Sequence, residues 1–207
     1  MNTMHKPGRA GILIAIEGID GTGKSTQLRL LTEELGRRGY EVVATREPTD
    51  GSSGRKIREL YLNRRHATPA EELALFMADR REHVEEVIAP ALAAGKIVLT
   101  DRYYFSTAAY QGAAGHDPEA ILRENESFAP EPDLVLLLEL PPAMSIERIK
   151  SLRGEELNDF EQEHNLNRVA AVFARLQRPF IVRIDGAQEA AAVHRRILEH
   201  VERLLTN

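Results

Sequence analysis

The chain has no cysteine among its 207 residues, which excludes disulfides, thiolate metal sites and a cysteine nucleophile. It has no basic excess either: 27 Lys and Arg stand against 32 Asp and Glu, interspersed, for a net charge of −5. A surface devoted to nucleic acid carries a clear positive balance, so no nucleic-acid partner is expected. No apolar run approaches the roughly 20 residues of a membrane span, and no membrane association is expected. The first nine residues, MNTMHKPGR, hold no apolar stretch that would serve as a signal peptide. The expectation is a disordered tail over 1–9 and a single domain over 10–207, in a soluble cytoplasmic protein.

What the chain does have is alternation. Short apolar, β-branched runs read as buried strands: Gly11 to Glu17, Glu41 to Thr45, Lys96 to Thr100, Asp133 to Glu139 and Phe180 to Ile184. Helical patterns lie between them, at Lys24 to Arg38, Ala70 to Ala94, Ser106 to Gln111, Met144 to Arg153 and Gln162 to Gln177, and a last one spans Ala187 to Leu205. Strand–helix–strand order predicts an α/β fold with a parallel sheet covered by helices on both faces. Ligands of such sheets sit at the carboxyl ends of the strands. Asp20 to Ser25, Arg46 and Asp101-Arg102 all follow predicted strands.

Gly18-Ile19-Asp20-Gly21-Thr22-Gly23-Lys24-Ser25, with Thr26 next, matches G-x-x-x-x-G-K-[ST] between a strand and a helix. Glycines let the backbone wrap a phosphate with its N–H groups inward, and the helix adds its positive end. Lys24 supplies a charge for the β- and γ-phosphates, and Ser25 a hydroxyl for Mg²⁺. The motif specifies a nucleoside triphosphate with Mg²⁺, not a reaction. A guanine-reading N-K-x-D segment is missing from the sequence. Arg46, Arg80 and Arg102 are candidates for phosphate or base recognition, because a guanidinium grips phosphate bidentately. Phe76 and Arg80, four apart, share one helix face. Thr107 with Gln111, and Ser106 with Tyr110, add hydrogen-bonding pairs at the same spacing. Taken singly, each has a plainer reading as a surface or core residue.

These motifs resemble those of the thymidylate kinase family: IEGIDGTGKST at 16–26, TREP at 45–48, LFMADRREH at 75–83, DRYYFSTAAYQG at 101–112, PDLVLLLEL at 132–140 and IDGAQ at 184–188. The likeness runs from about Ile12 to Gln188. It implies a P-loop nucleoside monophosphate kinase fold with a five-stranded parallel sheet, a mobile lid over about 148–162 and a homodimer. It implies that ATP and dTMP are the substrates. Phe76 would stack on thymine, Arg80 would bond a base oxygen, and Thr107 and Gln111 would approach the base edge. Arg46 and Arg102 would hold the acceptor phosphate. Asp20 would reach the sugar 3′-hydroxyl or the phosphate site, and Tyr110 would pack beneath the deoxyribose.

The sequence departs from the family at Thr49-Asp50-Gly51-Ser52-Ser53-Gly54, where a glycine pair and a threonine are usual, and at Asn158-Asp159-Phe160-Glu161, where the usual lid arginine is missing. An anionic acceptor phosphate needs no general base, so catalysis reduces to alignment and charge neutralisation. Lys24 with Mg²⁺, held by Ser25 and Asp101, covers one side. The loop itself carries no arginine, so a further cation comes from the lid, as in bacterial-type members: Arg148, Lys150 or Arg153, with Arg153 favoured by the glycine after it. Two alternatives stand beside this reading, a kinase for another (deoxy)nucleoside or nucleotide and a regulatory paralogue that binds nucleotide without efficient turnover.

Overall fold

A computed structural model describes residues 10–62, 67–153 and 163–206. The five apolar runs form one all-parallel sheet in the order β2-β3-β1-β4-β5, from β1 (Ile12–Glu17), β2 (Val42–Arg46), β3 (Ile97–Asp101), β4 (Leu134–Glu139) and β5 (Ile181–Asp185). The three inner strands are buried almost throughout and the outer two are half open, as expected of strands covered on both faces. Side chains of β1 alternate between two cores. Leu13 and Ala15 pack with α5 (Tyr104–Ala113) and α8 (Glu163–Arg175); Ile14 and Ile16 pack with α1 (Lys24–Arg37) and α9 (Ala190–Thr206).

Register decides where the chemistry gathers. Asp101 lies opposite both Ile16 and Arg46, and Glu17 opposite Leu137. The last residues of β1, β2 and β3 therefore share one edge of the sheet, and the loops leaving that edge carry the motifs.

Two helices lie where no pattern was expected, α2 (Ser52–Leu62) and α6 (Pro118–Glu126). The Ser-Ser-Gly start of α2 reads as loop, yet Gly54 lets the helix lie against the preceding turn. A Cβ there would sit 2.0 Å from the Thr49 carbonyl oxygen. The α6 start has an overlooked signal: Asp117 accepts from the Glu119 N–H, with Pro118 in the first turn. The expected 70–94 helix is divided into α3 (Pro69–His83), a π-helical turn over Val84–Ile88, and α4 (Ala89–Ala93). Pro90 has no N–H to return to Glu86, and its ring crowds that carbonyl. The ladder widens just upstream, where the Ala89 N–H reaches Val84 instead. A capping box of Thr68 and Glu71 starts α3.

Candidate active site

The loop between β1 and α1 is shaped by left-handed glycines. Gly18 has φ 138°, and a Cβ there would lie 2.4 Å from the Leu138 carbonyl oxygen, so no other residue fits. Gly23, at φ 94°, precedes α1 without any side-chain cap, and a Cβ there would face open space. The first N–H groups of α1 thus open on a cleft of about 510 Å³ lined by the loop, Arg46, Asp101, Arg102, Arg148 and residues 186–190.

Lys24 is buried, and its ammonium donates to the Ile19 carbonyl at 2.8 Å. Burial and the nearby Arg102 pull its pKa down to about 8, against the attraction of Asp101, Asp20 and Glu17. The Ser25 hydroxyl donates to Asp101 Oδ2 at 2.6 Å. The other Asp101 oxygen, Oδ1, is buried with no hydrogen-bond partner. A hydroxyl beside a carboxylate with a spare oxygen suits a hard, oxygen-seeking cation. Among the described residues no cluster of three His, Cys, Asp or Glu side chains could hold a metal. Such a cation would therefore need the oxygens of a bound nucleotide as well.

Facing Lys24 is a second cluster. Arg102 has φ 72°, unusual for a residue with a side chain. Its N–H donates to Ile16 and its carbonyl accepts from the Thr100 hydroxyl, at 3.0 and 2.8 Å. Its guanidinium donates to Asp20 at 2.6 Å, to Ser106 Oγ at 2.9 Å and to the Tyr110 hydroxyl at 3.3 Å. Tyr110 in turn donates to Asp20 at 2.7 Å. Burial would raise the Asp20 pKa, but Arg102 and Lys24 outweigh it and hold the carboxyl down to about 2. Burial, together with Asp20, pushes the Tyr110 hydroxyl well above the usual phenol value. Arg46 stands on the same cleft, exposed, with one nitrogen 3.2 Å from Asp50, which also takes a contact from Arg58 at 3.0 Å.

The expected base-reading residues lie on α3 and α5. Arg80 is buried and engaged from several sides: Glu47 accepts from its Nε at 3.2 Å and from one Nη, while the other Nη donates to Thr107 at 3.0 Å and Asn125 at 2.9 Å. His83 contacts the same Glu47 at 2.9 Å and Thr45 at 2.7 Å. Burial opposes ionisation of Glu47, yet the charge of Arg80 and the contact with His83 pull its pKa below the usual carboxylate value. Gln111 donates to Glu72 at 2.5 Å, which fixes the amide's orientation and leaves its Oε1 buried without a partner. Phe76 is half-buried one turn before Arg80.

The family model for thymidylate kinase matches residues 16–197. The chain belongs to that family. The thymidylate kinase of Desulfotalea psychrophila is 53% identical over 195 residues, covering 94% of this chain and 96% of that protein. Those of Xanthomonas campestris pv. campestris and Akkermansia muciniphila are each 49% identical, covering 90% and 92% of this chain and 81% and 92% of theirs. As a member, it is an ATP-dependent kinase with the P-loop nucleoside monophosphate kinase fold.

Within this kinase the candidate lid cations separate. Arg148, on α7 (Pro142–Arg153), lines the cleft and donates to the carbonyls of Gly186 and Ala187 at 2.8 and 3.4 Å. Lys150 is exposed. Arg153 is the last residue of α7; its side chain, the rest of the lid segment and Asn158 to Glu161 lie outside the described residues, as do 1–9. No helix among the described residues is long and apolar enough to cross a membrane.

Sequence reasoning passed over two acidic residues. Glu17 ends a buried strand and is itself fully buried; a carboxylate closing an all-apolar strand was its only local signal. Asp50 stands out only as part of the departing 49–54 stretch, and nothing in the sequence pairs it with Arg46.

Proposed function

We propose that this kinase transfers the γ-phosphate of ATP to dTMP, giving dTDP and ADP, with the cleft divided between a donor and an acceptor half. The observation that carries the reading is the arrangement of Lys24 with the open α1 N-terminus on one side and the Arg102–Asp20–Tyr110 cluster on the other. The donor phosphates lie on the loop 18–26, where backbone N–H groups and Lys24 neutralise them. Ser25 and Asp101 would hold Mg²⁺ together with phosphate oxygens, and the ion would supply charge neutralisation for the transferring group.

On the acceptor side Arg102 and Arg46 grip the dTMP phosphate. Its oxygen is already anionic near neutral pH, so no base has to remove a proton. Asp20 and Tyr110 flank the sugar. Thymine stacks on Phe76, and its edge meets Thr107, Arg80 and Gln111; the Gln111 Oε1 that lacks a partner suits the ring N–H. Arg148 anchors the loop beside the adenine, and Arg153 reaches the transferring phosphoryl from the lid, which excludes water as a competing acceptor. The working form is a cytoplasmic homodimer, a reading that rests on likeness to the family.

An ADP-release assay with MgATP tests this against dTMP, dUMP, dCMP, dGMP, AMP and thymidine. Fast turnover with dTMP and little with the rest is expected. Turnover with a different monophosphate would keep the donor half and overturn the base contacts. ATP binding without any turnover would favour the regulatory alternative.

A further inference from the structure

Glu17 is the last residue of β1, immediately before the phosphate-binding loop, and its side chain is fully buried. Its hydrogen-bond partners lie at the start of α5. One carboxylate oxygen accepts from the backbone N–H groups of Tyr103 and Ser106, at 2.9 and 3.0 Å. The other accepts from the Ser106 hydroxyl at 2.5 Å. Tyr103, at the N-cap position of α5, gives the helix no side-chain cap, so an acid from a neighbouring strand supplies what an N-cap residue normally would. The Ser106 oxygen that donates its proton to Glu17 accepts from Arg102 at 2.9 Å.

Arg102 therefore hangs between two anchors. Its backbone is held at positive φ between β1 and β3, and its guanidinium is steadied by Asp20 and Tyr110 and, through Ser106, by Glu17. A left-handed arginine is not the conformation that the chain adopts unaided. Something has to hold it, and a buried carboxylate bonded three times is a stiff support. We propose that Glu17 is a positioning residue for the acceptor half of the site: by capping α5 and orienting Ser106, it fixes the guanidinium of Arg102 that receives the acceptor phosphate. This rests on the reading of Arg102 as a phosphate ligand.

The test compares Glu17→Gln, Ser106→Ala and Arg102→Lys in steady-state assays at pH 8. The glutamine is isosteric and still accepts from both backbone N–H groups, but its amide cannot accept from Ser106. Losing a charge-assisted bond of this kind is expected to raise the KM for dTMP about tenfold, with the KM for ATP near that of the unaltered enzyme. Ser106→Ala, which leaves α5 capped by Glu17, is expected to give a similar rise. The double variant should be no worse than the poorer single one, because both changes cut the same chain of bonds. If both KM values rise together in Glu17→Gln, the residue supports the phosphate loop instead and the proposal fails. If Arg102→Lys raises the acceptor KM while Glu17→Gln and Ser106→Ala do not, the proposal fails and the reading of Arg102 stands. If Arg102→Lys leaves the acceptor KM unchanged, both fall.

Discussion

Glu17 carries a cost that a denaturation experiment can read. Burial raises its pKa from the usual 4.5 to about 7, against the bonds from Ser106 and Tyr103 and the pull of Arg102. Lys24, from α1, is also close enough to act on it. Between those two pKa values the folded protein binds a proton that the unfolded chain has released. Stability from this group is therefore complete below the unfolded value and is lost as pH rises through the folded one. At about 1.4 kcal/mol per pH unit, the loss is about 1 kcal/mol at pH 5.5 and about 3 kcal/mol at pH 8. Glu17→Gln removes the titration but keeps the shape. Other groups also titrate, so the quantity to follow is the stability of the unaltered protein minus that of the variant, from urea unfolding at both pH values. That difference should be about 2 kcal/mol more favourable at pH 5.5 than at pH 8, or about 4–8 °C in Tm for a chain of this size. A difference that does not change with pH would refute the assignment of a titrating Glu17.

Replacing Lys24 by Ala should lower kcat by at least about 10²-fold in the ADP-release assay, since no other side chain of the loop 18–26 brings a positive charge to the donor phosphates. The two lid arginines should separate by kinetics. Arg148→Ala, which frees the 186–187 carbonyls, should raise the KM for ATP with kcat within about threefold, whereas Arg153→Ala should lower kcat by about 10²-fold with both KM values little changed. Equal losses in both variants would remove the distinction. Phe76→Ala should raise the KM for dTMP about tenfold, the usual worth of an aromatic stack on a base, and an unchanged value would end the stacking role.

The parts of the fold legible in the sequence are those where one local pattern has one physical outcome. Runs such as Leu134–Glu139 are apolar because both faces are covered, and the glycines of 18–23 serve a turn that other residues cannot enter. The missed helices show two different limits. For α6 the signal was present in Asp117-Pro118 but the segment is short; for α2 a glycine needed for close packing hid the helix. In the site, the motif residues were legible as a set, yet their couplings were not. Arg80 was expected at a base oxygen, and the sequence offers no hint that Glu47, Thr107 and Asn125, brought in from three other segments, engage most of its donors. Glu17 and Ser106 are 89 residues apart, a pairing that only the register of β1 with β3 creates.

The ion pair between Arg102 and Asp20 has a consequence for traffic through the site. On the reading proposed above, an acceptor phosphate reaches a guanidinium that has the Asp20 carboxylate 2.6 Å away, not a bare cation. The electrostatic gain of binding is then offset in part by the anion beside the same nitrogen. That carboxylate also repels a product that carries more negative charge than its substrate, which favours release over a tight hold.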